Sequence, residues 1–208
     1  MSSRAAATQL HNALIAALVI ALMSAATTSQ AGELQRYRFD PIHSQIVFFV
    51  GHLGFSQAIG RVRLGPGYFN FGDDDWSRAK VDVTVDLDNL DMGDAKWTDA
   101  VKASQLLDVA RYPQARFVSR SVEKLRGNDG VIRGELTLHG KTVPLGLAIT
   151  FNKAGRDPYA FKDKAGFSAH ATLKRGDFGI SRYQGVVGEE VELRIEVEGI
   201  ADNETIHP

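Results

Sequence analysis

His43-Ser44-Gln45-Ile46-Val47-Phe48-Phe49-Val50-Gly51-His52-Leu53-Gly54 is the most apolar run of the chain after its first thirty-one residues. Its β-branched and aromatic content, its shortness and its bounding glycine make it a strand rather than a buried helix, and Asp40-Pro41 turns the chain into it. Alternation puts Ile46, Phe48, Val50 and His52 on one face and Val47, Phe49, Gly51 and Leu53 on the other. Both faces are largely apolar. The strand is therefore expected to line an apolar interior while something covers it from outside.

Downstream, Ala58, Gly60, Val62 and Leu64 alternate with Gln57, Ile59, Arg61 and Arg63 in a second strand. Gly65-Pro66-Gly67 interrupts it, Tyr68-Phe69-Asn70-Phe71 resumes it, and Gly72-Asp73-Asp74-Asp75 turns the chain. That acidic triplet lacks the spaced oxygen ligands and terminal glutamate of an EF-hand loop and reads as a solvated turn. Val81, Val83, Val85 and Leu87 then alternate with Lys80, Asp82, Thr84 and Asp86, giving one buried and one wet face. The period changes between Asp94 and Val109, where the spacing of Trp97, Val101, Ser104 and Leu107 predicts a helix capped by Asp94 and ending before Tyr112-Pro113. Strands are predicted again at 115–125, 131–139, 143–152, 166–175 and 187–200. Eight antiparallel strands at hairpin-like spacing with one main helix indicate an all-β closed barrel.

Upstream, Arg4, an apolar core from Ala13 to Met23 and the small-x-small triplet Ser29-Gln30-Ala31 have the form of a secretory signal peptide cleaved between Ala31 and Gly32. The apolar core falls short of the roughly 20 residues that a spanning helix needs. The expected mature chain, Gly32 to Pro208, is one domain of 177 residues, and losing Arg4 with no acid moves the net charge from −1 to −2. Interleaved acids and bases without a basic block exclude a nucleic-acid surface. The chain has no cysteine, which removes disulfides, thiolate metal sites and a cysteine nucleophile; the periplasm is the expected compartment.

No catalytic phrase emerges. The mature histidines His43, His52, His139, His170 and His207 show no i, i+4 pair and no HExxH, so no metal site is expected. There is no Gly-x-Ser-x-Gly elbow, and Gly65-Pro66-Gly67 neither opens a helix nor precedes a lysine. Asp177, within Gly176-Asp177-Phe178-Gly179, reads as a turn residue. His52, on the inward face, is expected to be a hydrogen-bonded structural group with a polar ligand contact as its alternative role. The inward apolar positions, Phe48, Val50, Phe69, Val83 and Val85 in the first half and Phe117, Leu136, Phe167 and Val191 in the second, suit a filled core and a ligand tunnel equally.

Five phrases, in order, resemble the YceI family of exported lipocalin-like barrels: Tyr37-x-Phe39-Asp40-x-x-His43-Ser44, Phe48-x-Val50-x-His52-Leu53-Gly54, Leu106-Leu107-Asp108-Val109-x-x-Tyr112-Pro113, Gly134-x-Leu136-Thr137-Leu138-His139-Gly140 and Arg175-x-Asp177-Phe178-Gly179-Ile180. The resemblance implies an elongated barrel whose apolar tunnel holds a long isoprenoid or acyl chain, with no catalytic residue; a polyisoprenoid lipid or quinone is the expected ligand, and no cofactor is expected. The nine inward residues above, with His52, then become the expected tunnel lining. Val47, Phe49 and Gly51 depart from the family's more polar outer face, and a second copy of the chain is the expected cover. Lys174 and Gly176 replace the family's small polar residues before Asp177-Phe178-Gly179. The other expected partner is a transient membrane or membrane-protein contact. The rival reading is a packed barrel that binds proteins through Val47, Phe49 and Leu53.

Overall fold

The computed structural model describes residues 34–202. The expected leader, its cleavage point and His207 lie outside them. Nine strands run in order as β1 (Gln35–Phe39), β2 (Gln45–His52), β3 (Ser56–Phe71), β4 (Lys80–Asp86), β5 (Gln114–Lys124), β6 (Asp129–Leu138), β7 (Lys141–Arg156), β8 (Asp163–Lys174) and β9 (Val187–Ala201). They form one antiparallel sheet, β1-β3-β2-β9-β8-β7-β6-β5-β4, and the β3–β4 pairing closes it.

Nine strands occupy eight positions. β2 pairs with β3 through Gln45–His52 and with β9 up to Glu196, whereas β1 pairs with the far end of β3 and with Gly199–Ala201 of β9. β1 and β2 therefore share one slot of an eight-stranded barrel, broken by a kink at residues 40–44. The kink is built locally: Asp40 Oδ1 accepts from the backbone N–H of Ile42 at 2.9 Å, and the Ser44 N–H donates to the Asp40 carbonyl at 3.0 Å. Ser44 is fully buried and replaces the interrupted ladder, its hydroxyl donating to the Glu198 carbonyl at 3.0 Å and accepting from the Glu198 N–H at 3.1 Å. β1 is not among the expected strands because its alternation of Arg36 and Arg38 with Tyr37 and Phe39 runs over only five residues.

Two expectations need correction. β3 is continuous, and Gly65-Pro66-Gly67 is a bulge within it: Leu64 pairs with Val85 and Gly67 with Val83, one extra residue on β3. The helix is shorter than its periodicity promised. α1 spans Ala95–Lys102, with the Asp94 side chain accepting from the Trp97 N–H at 3.0 Å. Beyond it the Leu107 N–H donates to the Val101 carbonyl and the Val109 N–H to the Lys102 carbonyl, folding the chain back over the helix end, and Asp108 takes a positive φ of 48°. Leu106, Leu107 and Val109 thus pack as a loop, which delivers apolar side chains over one end of the barrel.

The inward pattern of β2 follows the register. Phe48 pairs with Gly60 and Leu193, and Val50 with Ala58 and Val191. Gly60 is required there, since a Cβ would stand 2.2 Å from the Phe48 ring. On the outer face, Phe49 is only partly exposed and lies under the Arg194 guanidinium, 4.9 Å from its centroid. The stripe is thus partly covered by β9 of the same chain.

Candidate functional site

Inside the barrel lie two apolar chambers that share Ile46, Val85, Leu136 and Leu193 as wall residues. Chamber one has a volume of about 130 Å³ and chamber two about 200 Å³. Their walls are hydrocarbon except for Asn70 and the indole of Trp76 in the first and Arg175 in the second.

Of the expected lining, Phe69, Val83, Phe117 and Phe167 line chamber one, Phe48, Val50 and Val191 line chamber two, and Val85 and Leu136 line both. His52 lines neither. The β2–β9 register shifts between Val50 and His52, where β9 carries extra residues, and His52 sits at the strand end with its ring edge-on to exposed Trp97, centroids 5.5 Å apart. It is a rim residue. Periodicity was carried one step past the point where the ladder holds.

The two ends are closed differently, largely by residues outside the strands. At the end of chamber one, a 3₁₀ turn, Trp76–Arg78, brings Trp76 against Phe71 and Phe151, with centroids 5.6 and 6.2 Å apart. Asp75 caps this turn by accepting from the Ser77 N–H and hydroxyl. Chamber two is closed by Leu87, Leu90 and Met92, by Val101 of α1, by Leu106 and Leu107, and by Ile180.

Arg175 holds the segment over chamber two. It is 4 % exposed and donates to four backbone carbonyls: Nε to Gly188 at 2.9 Å, Nη1 to Ile180 and Arg182 at 2.7 Å each, and Nη2 to Val187 at 3.0 Å. Its nearest carboxylate oxygen, on Glu189, is 4.0 Å away. Buried guanidinium charge is thus met mainly by carbonyl dipoles. Asp177 is exposed in the adjoining 3₁₀ turn, Arg175–Phe178, whose C-cap Gly179 has φ 79°, which makes it the turn residue expected.

Outside the barrel, the β1–β2 kink carries a charge cluster that local spacing did not reveal. Lys164 Nζ lies 2.9 Å from Glu198, 3.0 Å from Asp157 and 3.5 Å from Asp40, and His43 Nδ1 lies 2.9 Å from Asp40. Burial alone would raise the Asp40 carboxyl, but hydrogen bonds from the His43 ring and from the Ile42 and His43 N–H groups outweigh it and hold it at about 2. The same contact raises the exposed His43 imidazole. Asp40, His43 and Glu198 could converge on a cation, but the Lys164 ammonium already supplies the positive charge among them.

Residues 37–199 match the YceI-like domain. The chain belongs to the YceI-like family. It is 35% identical over 193 residues to a UPF0312 protein of Pectobacterium carotovorum, covering 92% of this chain and 98% of that one. It is 37% identical over 158 residues to the YceI protein of Salmonella arizonae, 76% of this chain and 82% of the relative. Among solved structures, Burkholderia cenocepacia BcnA superposes with a TM-score of 0.69 at 21% identity, over 77% of this chain and 98% of BcnA. A polyisoprenoid-binding domain from Saccharophagus degradans superposes at 0.57 with 12% identity, over 82% and 100%. At these identities the structures show a shared barrel.

In this YceI-like barrel the five family phrases fall mainly on closures. Asp40, His43 and Ser44 build the kink, Leu106–Pro113 folds over the end of chamber two, and Arg175–Ile180 is the pinned turn. His139-Gly140 packs on Tyr112, ring centroids 4.8 Å apart, and a Cβ at Gly140 would meet that ring at 2.6 Å.

Proposed function

We propose that this protein binds the hydrocarbon tail of a long isoprenoid lipid or quinone inside its barrel and carries or stores it, non-enzymatically, in the periplasm. The observation that carries this reading is a pair of hydrocarbon-walled chambers that share four wall residues within a closed sheet. A filled core would leave no such volume. At about 0.8 kcal/mol per buried CH₂, a few isoprene units retain a lipid by burial alone, with no covalent chemistry. The polyisoprenoid-binding domain that shares the barrel supports the same class of ligand.

Loading is assigned to the α1 end. There Leu53 and Phe55 of the β2–β3 hairpin, Trp97 of α1 and Tyr183 and Val186 of the Arg175-pinned segment are all exposed, Phe55 by 90 %. The Leu53 N–H donates to the Val186 carbonyl at 2.8 Å and Trp97 meets His52, so these residues form one rim. An apolar, aromatic rim suits contact with a bilayer surface from which such a lipid is drawn. Native mass spectrometry of the mature protein, followed by lipid extraction, tests the reading. Bound isoprenoid or quinone is expected, and lipid-free protein that takes up neither would end it in favour of a packed interaction module.

A further inference from the structure

The two chambers meet at one level of the barrel. On β4 the inward side chains pass from Val83 in chamber one to Leu87 in chamber two through Val85, which lines both. On β9 they pass from Ile195 to Val191 through Leu193, and β6 makes the same change at Leu136. β2 enters the wall at Ile46, which lines both chambers, and continues in chamber two alone. Side chains two apart on a strand point the same way, so each of these strands contributes one residue to the junction. β2 and β9 are neighbours in the sheet, while β4 and β6 lie across the barrel from them on either side of β5. Four branched side chains therefore reach inward from two sides and form a ring between the chambers.

The members of the ring are not equally free to move. Ile46 and Val85 are β-branched and stiff at χ1, although Val85 has an alanine, Ala115, as its partner on β5. Leu136 is unbranched at Cβ but stands between Phe117 on β5 and Val143 on β7, bulky neighbours on both sides. Leu193 has Phe48 on one side and Ala171 on the other. Cross-strand partners stand about 4.5–5.5 Å apart at Cβ, so an alanine leaves free the space that a larger partner would fill. Ala171 is buried, which keeps that space inside the barrel. Leu193 is thus the member of the ring that combines a flexible side chain with an alanine beside it.

We propose that this ring sets the length of hydrocarbon chain that the barrel accepts: a chain entering at the α1 end fills chamber two first and reaches chamber one only where Leu193 yields toward Ala171. This rests on the lipid reading above and names the residues that select its ligand. A short prenyl chain is held by chamber two alone. A longer one gains the burial that chamber one offers, so affinity climbs with length only while the ring can be passed.

The test titrates two prenyl alcohols, geraniol with two isoprene units and geranylgeraniol with four, into lipid-stripped wild type, Leu193→Phe and Leu193→Ala, with affinities from native mass spectrometry. Wild type should bind geranylgeraniol at least about tenfold tighter than geraniol. Leu193→Phe narrows the ring and should hold geraniol within about threefold of wild type while losing the preference for the longer chain. Leu193→Ala widens it and should keep that preference. A single thermal unfolding transition certifies the fold of each variant, and if Leu193→Phe fails this check, Val85→Phe narrows the ring from β4 with the same expectation. In a folded narrowed variant, an equal fall for both alcohols or a surviving length preference would overturn the ring's role and leave the lipid reading standing. Wild type that binds the two alcohols equally would do the same. Wild type that binds neither would overturn both.

Discussion

The two ends of the barrel are closed by different physics. At the chamber-one end the closure is side chain on side chain: Trp76 wedged against Phe71 and Phe151, with Phe167 edge-on to Phe71 at 4.9 Å. Nearby on the outside, Lys164 ties the β1–β2 kink to Asp157 of the β7–β8 hairpin. At the α1 end the closure is polypeptide. Loops on either side of α1 lie over chamber two, and residues 180–188 are held by one arginine through bonds to carbonyls. Ring packing is lost outright when it opens, whereas carbonyls released from a guanidinium find water. A barrel closed in these two ways has one stopper and one door.

The largest expected effect is on the stopper. Trp76→Ala should cost about 3–5 kcal/mol in denaturant unfolding, with a single transition and loss of protection throughout the sheet. A variant that loses less than about 1 kcal/mol would show that the rings do not close that end.

Arg175→Met should cost somewhat less, about 2–4 kcal/mol, because four carbonyls lose a charged donor but lie close enough to the surface to be hydrated. Its signature is regional: amide exchange should accelerate at residues 180–188 and stay slow around Trp76. Uniform acceleration over both ends would erase the distinction between stopper and door.

Asp40→Asn tests the outer tie through pH. The Asp40 carboxyl titrates at about 2 in the fold against an ordinary 3.8, so its contribution is complete above the ordinary value and is lost as pH falls through about 2. At neutral pH the variant should be less stable by up to about 2 kcal/mol, and the gap to wild type should close as pH falls from 4 toward 2. His43 has the opposite sign. Its raised imidazole stabilises the kink below its ordinary pKa of 6.5 and ceases to as pH rises through the folded value. A stability gap that persists at pH 2 would mean that Asp40 acts through shape rather than charge.

The smallest effect on stability is expected in chamber two. Val50→Trp should change the unfolding free energy of lipid-stripped protein by under about 1 kcal/mol, where a close-packed site would lose about 1–3, yet it should abolish lipid retention seen by mass spectrometry. Strong destabilisation of stripped protein would make chamber two a packed core and remove the passage from door to stopper.

Strand alternation made the barrel legible because one sheet face must be apolar, and it put Phe69, Val83, Val85, Phe117 and Leu136 on the inward face, while only the family resemblance made them tunnel lining. The same rule failed at its edges. It carried His52 inward past the register shift, let the α1 periodicity run on to Val109, and read the Gly65-Pro66-Gly67 bulge as a break. Those are places where long-range pairing overrides local preference.

The sequence by itself determined β2 to β9, most of the inward face and the family, since each is written in local spacing or in phrases of a few adjacent residues. Only the tertiary structure decided that β1 and β2 share one slot, that Lys164 meets Asp40 across 124 positions, and that Trp76 and Arg175 close opposite ends of one barrel. Those relations depend on barrel closure, which brings residues together through a register that no local window of sequence contains.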